Sequence, residues 1–277
     1  MSTIFRSQNS RKYKIIIPKS FNGYTIIKEL GAGSFSVTVL IEKDDTKELF
    51  AAKIILRDQM IERRMYDHMN REIEFTRKFD HPNIIKFYDS FIIKNDKQQD
   101  FLIIIEEYCS KGELYYYINN QENVDEKEVK RISKSIAEAI KYLHEMKIAH
   151  CDIKPENILL DENMNPKLID FGLSVDLDDE YVKPCGTAYY AAPELFNKQR
   201  KFVNRLKLDI YSFGIVLYMM HERKFPWKNF DEKRFSKFKV ETSDPKLNSL
   251  VKKCTDLNGG GRPTAKMLVE DDYFKCE

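Results

Sequence analysis

A chain of 277 residues is long enough for one large buried core or for two smaller lobes. Apolar residues make up 42% and charged residues 32%, and 46 basic against 44 acidic side chains leave a formal net charge of +2. That balance excludes broad electrostatic attraction to nucleic acid or to an anionic membrane, and runs such as FLIIIEEY and FGIVLYMM fall short of the ~20 residues of a bilayer span.

In chain order, residues 1–20 have no apolar signal core, and their basic residues Arg6, Arg11, Lys12 and Lys14 read as a solvated lead-in. From Tyr24 to about Tyr108 short apolar runs separated by turn-forming residues predict strands: YTIIKEL, SVTVLIEK, LFAAKII, IIKFYDSFII and FLIIIEEY. One helix interrupts them, with Ile61, Met65, Met69 and Ile73 recurring every four positions and Glu72 at the edge of that stripe. Beyond Gly112 the chain turns helical. Val129, Ile132, Ile136, Ile140 and Leu143 share one face behind a capping box from Asp125 to Glu128. LDIYSFGIVLYMM is apolar on nearly every side and predicts a buried helix. The pattern is α+β: a β-rich N-lobe with one helix over about 21–107, a hinge at about 107–112, and a larger, mainly helical C-lobe over about 113–277. Cys109, Cys151, Cys185, Cys254 and Cys276 are scattered, odd in number and without paired metal-ligand spacing, which predicts reduced thiols and an intracellular setting, cytoplasmic or nuclear.

Three stretches carry chemistry. GAGSFSV follows an apolar strand, and Gly31 and Gly33 let backbone amides approach a phosphate. A dinucleotide-binding fingerprint is the rival reading, but it should open a helix, whereas SVTVLIEK continues as strand. Lys53 lies inside the apolar run FAAKII, where burial is costly without a partner; Glu72 is the candidate, and an edge-strand lysine reaching solvent is the alternative. In HCDIKPENILL, Pro155 rules out a helix interior, so Asp152, Lys154 and Asn157 sit on a shaped loop offering a proton acceptor, a cation and an amide oxygen. Asp170 ends a further apolar run before Phe171 and Gly172, where a carboxylate can hold magnesium, although that triplet alone could be any turn.

The order of these elements, together with HPNII, EEYCSKGEL, GTAYYAAPE, LDIYSFG and GRPT, resembles a eukaryotic protein kinase from about Phe21 to Phe274. KPEN and Thr187 are similar to the serine/threonine type, and GAGSFS, KPENILL and the EEYCSKGEL hinge to its calmodulin-dependent and checkpoint branch. The resemblance implies a two-lobed kinase fold over 21–277, ATP and Mg²⁺ as cofactors, and a protein substrate with a serine or threonine acceptor, the chain acting as a monomer. It implies that Asp152 orients the acceptor hydroxyl and takes its proton, that Lys154 neutralises the transferred phosphoryl, and that Asn157 and Asp170 bind magnesium. Lys53 and Glu72 would pair beside the α- and β-phosphates. The nucleotide would be covered by the loop of Leu30, Gly31, Ala32, Gly33, Ser34, Phe35 and Ser36, with Thr38 behind it. Ala51 and Leu159 would sandwich adenine, backbone groups of Glu107 and Cys109 would bond its edge, and Glu113 would reach the ribose. Glu156 would favour a basic residue near the phosphoacceptor, and Glu194 with Arg262 would form a buried structural ion pair. The alternative is a pseudokinase, a nucleotide-binding scaffold without turnover; against it, every required group is present.

The departures from the family pattern are informative. Cys151 stands where an arginine usually pairs with a phosphorylated activation segment, so activity is expected not to depend on that modification. The acids of DLDDE then read as solvated, not as a built-in phosphate mimic. Ser36, Thr38 and Thr76 replace a glycine, a valine and a leucine, each tolerable singly, and Tyr211 replaces a tryptophan with little expected consequence. Glu106 falls at the gatekeeper position behind adenine, where a carboxylate is costly to desolvate; it is expected to compete with Glu72 for Lys53 or to bond Thr76. A one-residue shift would put Ile105 there instead.

Overall fold

The computed structural model describes residues 2–6, 14–32, 36–57, 66–120, 125–177, 186–196, 203–227, 242 and 244–275. The chain divides into two compact units, one of residues 1–80 and 85–109 and one of residues 81–84 and 110–277.

The first unit holds β1 (Ser2–Arg6), β2 (Lys14–Pro18), β3 (Ser20–Phe21), β4 (Tyr24–Ala32), β5 (Ser36–Lys43), β6 (Leu49–Leu56), α1 (Tyr66–Lys78), β7 (Phe87–Lys94) and β8 (Asp100–Glu107). Six of the strands make one antiparallel sheet in the order β3-β4-β5-β6-β8-β7. Side chains alternate between its faces. Ile41, Ala52, Ile54, Ile103 and Ile105 join a core on one face, while Ile55 and Ile104 meet Met69 and Ile73 of α1 on the other. Ile61 and Met65 of the predicted stripe lie outside the described residues. Among the described residues before Phe21, β1 and β2 pair antiparallel, Ile17 is buried in the sheet core, and the Ile16 carbonyl accepts a hydrogen bond from Asn95 Nδ2.

The second unit contains β9 (Gly112–Glu113), α2 (Leu114–Asn120), α3 (Glu126–Glu145), β10 (Ile148–Ala149), β11 (Ile158–Leu160), β12 (Pro166–Leu168), β13 (Val175–Asp176), α4 (Arg205–Glu222), α5 (Pro245–Cys254) and α6 (Ala265–Val269). All five stripe residues of α3 are buried. Its capping box is only half made. Asp125 accepts from the Lys127 amide, but Glu128 pairs forward with Arg131 at 2.6 Å, because an arginine one turn on competes for the same carboxylate. In α4 every residue from Leu208 to Met220 is buried, as the all-round apolar sequence requires.

Glu194 and Arg262 form the expected buried pair, bidentate at 2.7 and 2.8 Å, and Arg262 also donates to the carbonyls of Lys207 and Asp256. Tyr211 lies under that guanidinium at 4.8 Å, and its hydroxyl is buried without a partner among the described residues. A buried, unsatisfied hydroxyl costs about 1–3 kcal/mol. Tyr211→Phe should therefore raise stability by about 1 kcal/mol in denaturant titrations; a loss of similar size would show that the hydroxyl is bonded in solution.

Candidate active site

The first unit supplies a row of side chains across one sheet face. The register sets Gly31 opposite Thr38, Thr38 opposite Lys53, and Lys53 opposite Ile104; the neighbouring row carries Ala51 opposite Glu106. Lys53 is half-buried, and Nζ meets Glu72 Oε1 of α1 at 2.6 Å, so the paired reading holds over the solvent-reaching one. α1 can present Glu72 there because Met69 and Ile73 anchor it on that same face. Thr76 gives its hydroxyl to the Glu72 carbonyl at 2.6 Å, an i to i−4 bond within the helix.

The sheet register sets Glu106 diagonal to Lys53 on the Lys53 face, whereas Ile105 points into the opposite core at 0% exposure. Gly31 stands on an antiparallel hairpin between β4 and β5 and not before a helix, which removes the dinucleotide fingerprint. A Cβ at Gly31 would meet nothing within 4 Å, so the chain's own packing does not require glycine there. Leu30, Ala32, Ser36 and Thr38 flank that hairpin, and Gly33, Ser34 and Phe35 lie outside the described residues. Phe50 pairs with Glu107 at the end of β8, and Cys109 is buried just beyond.

The second unit centres on Asp152. Its Oδ1 accepts from the amide and the hydroxyl of Thr187, both at 2.8 Å. Its Oδ2 accepts from Lys154 Nζ at 2.7 Å and from Asn157 Nδ2 at 3.0 Å. Four donors thus occupy a carboxylate with about four lone-pair sites. Burial alone would raise its pKa, but Lys154 and Thr187 outweigh burial and hold it below the ordinary carboxylate value. Lys154 also bonds Thr187 Oγ1 at 2.8 Å, closing a ring of three side chains. Pro155 opens a single 3₁₀ turn, Pro155–Asn157, so the loop shape expected from that proline is observed.

Asn157 spends its amide nitrogen on Asp152, also bonding the Asp152 carbonyl at 2.9 Å, which leaves its side-chain oxygen as the candidate ligand atom. Asp170 is exposed, has a left-handed backbone (φ 63°, ψ 75°) and accepts from the Gly172 amide. Phe171 behind it is fully buried against His150, ring centroids 5.0 Å apart. A carboxamide oxygen and a carboxylate suit a hard cation such as magnesium, which keeps waters and phosphate oxygens in its shell. No cluster of three or more His, Cys, Asp or Glu able to hold a metal occurs among the described residues. Glu113 faces Leu159 across β9 and β11. Burial first, then the neighbouring Glu156, pushes the Glu113 carboxyl up. Glu156 lies near Tyr190 and has one buried oxygen without a partner among the described residues.

Two residues carry more than their sequence context suggests. One is Thr187, a mark of kinase type in the sequence, which here bridges Asp152 and Lys154. The other is Asp209, 1% exposed, the one acid in the apolar run of residues 208–220 in α4, and that isolation is its signal. Asp209 accepts the His150 amide at 2.9 Å, the Cys151 amide at 2.8 Å and His144 Nε2 at 3.0 Å. It thereby holds Cys151 at φ 66°, a left-handed conformation that costs a non-glycine residue about 1–2 kcal/mol. Gly186 (φ 108°) is required: a Cβ there would lie 2.7 Å from the Cys151 carbonyl oxygen. Cys151 belongs to a buried cluster with Ala149 and Val175, against which Leu206 packs, where the family pattern has a cation. Cys109, Cys151 and Cys254 are buried; Cys185, Cys276 and most of DLDDE lie outside the described residues.

Comparisons with known proteins agree with this geometry. The protein kinase domain family matches residues 24–274. The chain is 34% identical, over 97% of its length, to the Carbon catabolite-derepressing protein kinase of Saccharomyces cerevisiae, covering 43% of it. It is 37% identical over 93% of its length to the SNF1-like protein kinase ssp2 of Schizosaccharomyces pombe, covering 45%. It is 34% identical over 96% of its length to the Sucrose non-fermenting protein kinase 1 of Fusarium virguliforme, covering 38%. The chain thus spans less than half the length of these relatives. No described helix is long and apolar enough to cross a membrane. The matched span takes in the Lys53–Glu72 pair and the Asp152 ring alike, and the chain belongs to the protein kinase domain family.

Proposed function

We propose that the chain is a serine/threonine protein kinase that moves the γ-phosphoryl of ATP, with magnesium, to a hydroxyl of a protein substrate. The observation that carries this reading is the Asp152 carboxylate, held ionised by Lys154, Thr187 and Asn157. Asn157 and Asp170 would hold the metal, Lys53 braced by Glu72 would hold the phosphates, and Ala51, Leu159 and the backbone of Glu107 and Cys109 would hold adenine. Magnesium-bound ATP supplies the phosphoryl group and leaves as ADP. For an acceptor hydroxyl to reach Asp152, one existing donor must yield, and Lys154 is suited to do so because the incoming charge attracts its ammonium. The hydroxyl oxygen then bonds phosphorus, the bond to ADP breaks, and the hydroxyl proton passes to Asp152. A carboxylate with a depressed pKa is a weak base, so orientation and charge stabilisation carry most of the rate.

Glu156 and Glu113 place two carboxylates together, which supports a preference for a basic side chain near the acceptor. Transfer of labelled phosphate from ATP to a positional-scanning peptide library tests both statements. Serine or threonine phosphorylation enriched in arginine or lysine is expected. A flat profile refutes the preference, and no transfer at all favours a nucleotide-binding scaffold.

The apolar surroundings of Cys151 support activity without activation-segment phosphorylation. Phosphatase-treated protein should keep at least about half of its activity; near-complete loss would overturn this reading. Glu106, diagonal to Lys53, is read as a second carboxylate competing for that ammonium and as a bar to apolar inhibitors reaching past adenine. Glu106→Met should shift the KM for ATP and tighten such inhibitors, each severalfold, and unchanged values of both would rule the role out.

A further inference from the structure

A cavity of about 250 Å³ opens in the second unit where the end of α3 and the starts of α4 and α6 meet. Its floor is apolar, formed by Leu206, Ile210 and Ala265, and three lysines, Lys141, Lys207 and Lys266, come to it from three different helices. Glu145 is the only carboxylate among the lining residues, and it meets Lys141 at a loose 3.5 Å. Lys207 donates to the Arg262 carbonyl, and Lys266 makes no ion pair among the described residues. Three cations against one anion leave an uncompensated positive rim over apolar side chains. Burial first, then Arg262, lowers the Lys207 pKa.

We propose that this cavity binds a small organic anion, a phosphate or carboxylate head on the lysine rim with an apolar body on Leu206, Ile210 and Ala265. The volume is below the roughly 300–1,000 Å³ of pockets for drug-sized ligands, so the occupant is small. Two of its walls lead to the Asp152 loop. Leu206 packs against the buried cluster of Ala149, Cys151 and Val175, and His144 bonds Asp209, whose carboxylate takes the Cys151 amide. Occupancy therefore bears on the backbone beside Asp152 without touching any residue placed in the catalytic set.

Phenyl phosphate, titrated by calorimetry into the whole chain saturated with ADP and magnesium, is the probe. Saturable binding with a Kd of about 1 mM or tighter is expected. The double substitution Lys141→Glu with Lys266→Glu should weaken it at least fivefold, and Lys266→Glu alone, at an exposed position, gives the same direction if the pair unfolds the protein. Phenol, lacking the charge, and inorganic phosphate, lacking the apolar body, should each bind at least fivefold more weakly. Amide exchange at His150 and Cys151 should slow when the probe is bound. No saturation by about 10 mM, binding indifferent to the lysine substitutions, or inorganic phosphate binding as well as phenyl phosphate overturns the site as proposed; unchanged exchange with the probe bound overturns its link to the loop. None of these readouts requires kinase activity, so the site can fail while the kinase reading stands.

Discussion

Asp152→Asn should lower kcat for peptide phosphorylation by about 10²–10⁴-fold, the range for loss of a positioned acid–base group, with the KM for ATP changed little. The reason lies in the four donors around the carboxylate. An asparagine presents one acceptor oxygen and an NH₂ group, so a donor would confront either Lys154 and Asn157 or the Thr187 amide and hydroxyl. The loss thus combines a missing proton acceptor with a disturbed Lys154. The acid limb of the pH profile provides a second reading. A carboxyl whose pKa is depressed in the folded protein stays ionised below its ordinary value, so activity that needs the carboxylate is lost only as pH falls through the lowered pKa, while its stability contribution is full above the ordinary value and declines progressively from there down to the lowered one. No step in kcat from this group is expected between about pH 5 and 8. A variant retaining more than about a tenth of parental kcat would remove Asp152 from the reaction.

Asp209→Ala should destabilise the fold by about 3 kcal/mol or more, because two buried amides and the His144 ring lose their shared acceptor at once. Asp209 touches no reacting group. It is a positioning residue whose bidentate hold on consecutive amides keeps Cys151 at positive φ and so aims Asp152. At temperatures where the variant is still folded, kcat should fall severalfold with the KM for peptide nearly unchanged, and Asp209→Asn, keeping one acceptor oxygen, should recover part of both losses. A melting temperature within a degree or two of the parent, measured calorimetrically, would show that the loop holds its shape by other means.

Local features are legible in the order of residues alone. The four-residue recurrence of α3, the alternating strands and the all-round apolar run of α4 each encode an element whose burial follows from its own periodicity. Asp152, Lys154 and Asn157 fall within six residues of one another, so a single loop has to carry them. A lysine in an apolar strand demands a carboxylate, yet the sequence offers Lys53 two. Helix packing brings Glu72 to 2.6 Å from its ammonium, and the sheet register sets Glu106 diagonal to it on the same face. The same ambiguity spoils the capping box, since Glu128 can reach back to the cap or forward to Arg131, and it goes forward.

By itself, then, the sequence determined the family, the order of elements and the chemical types at the site, because these rest on residue identity and short spacing. Tertiary structure alone decided which partner each polar group took. Thr187 meets Asp152 across 35 positions and Asp209 meets Cys151 across 58. Pairing over such distances is set by how helices and strands pack, since a buried donor takes whichever acceptor the packing brings within about 3 Å.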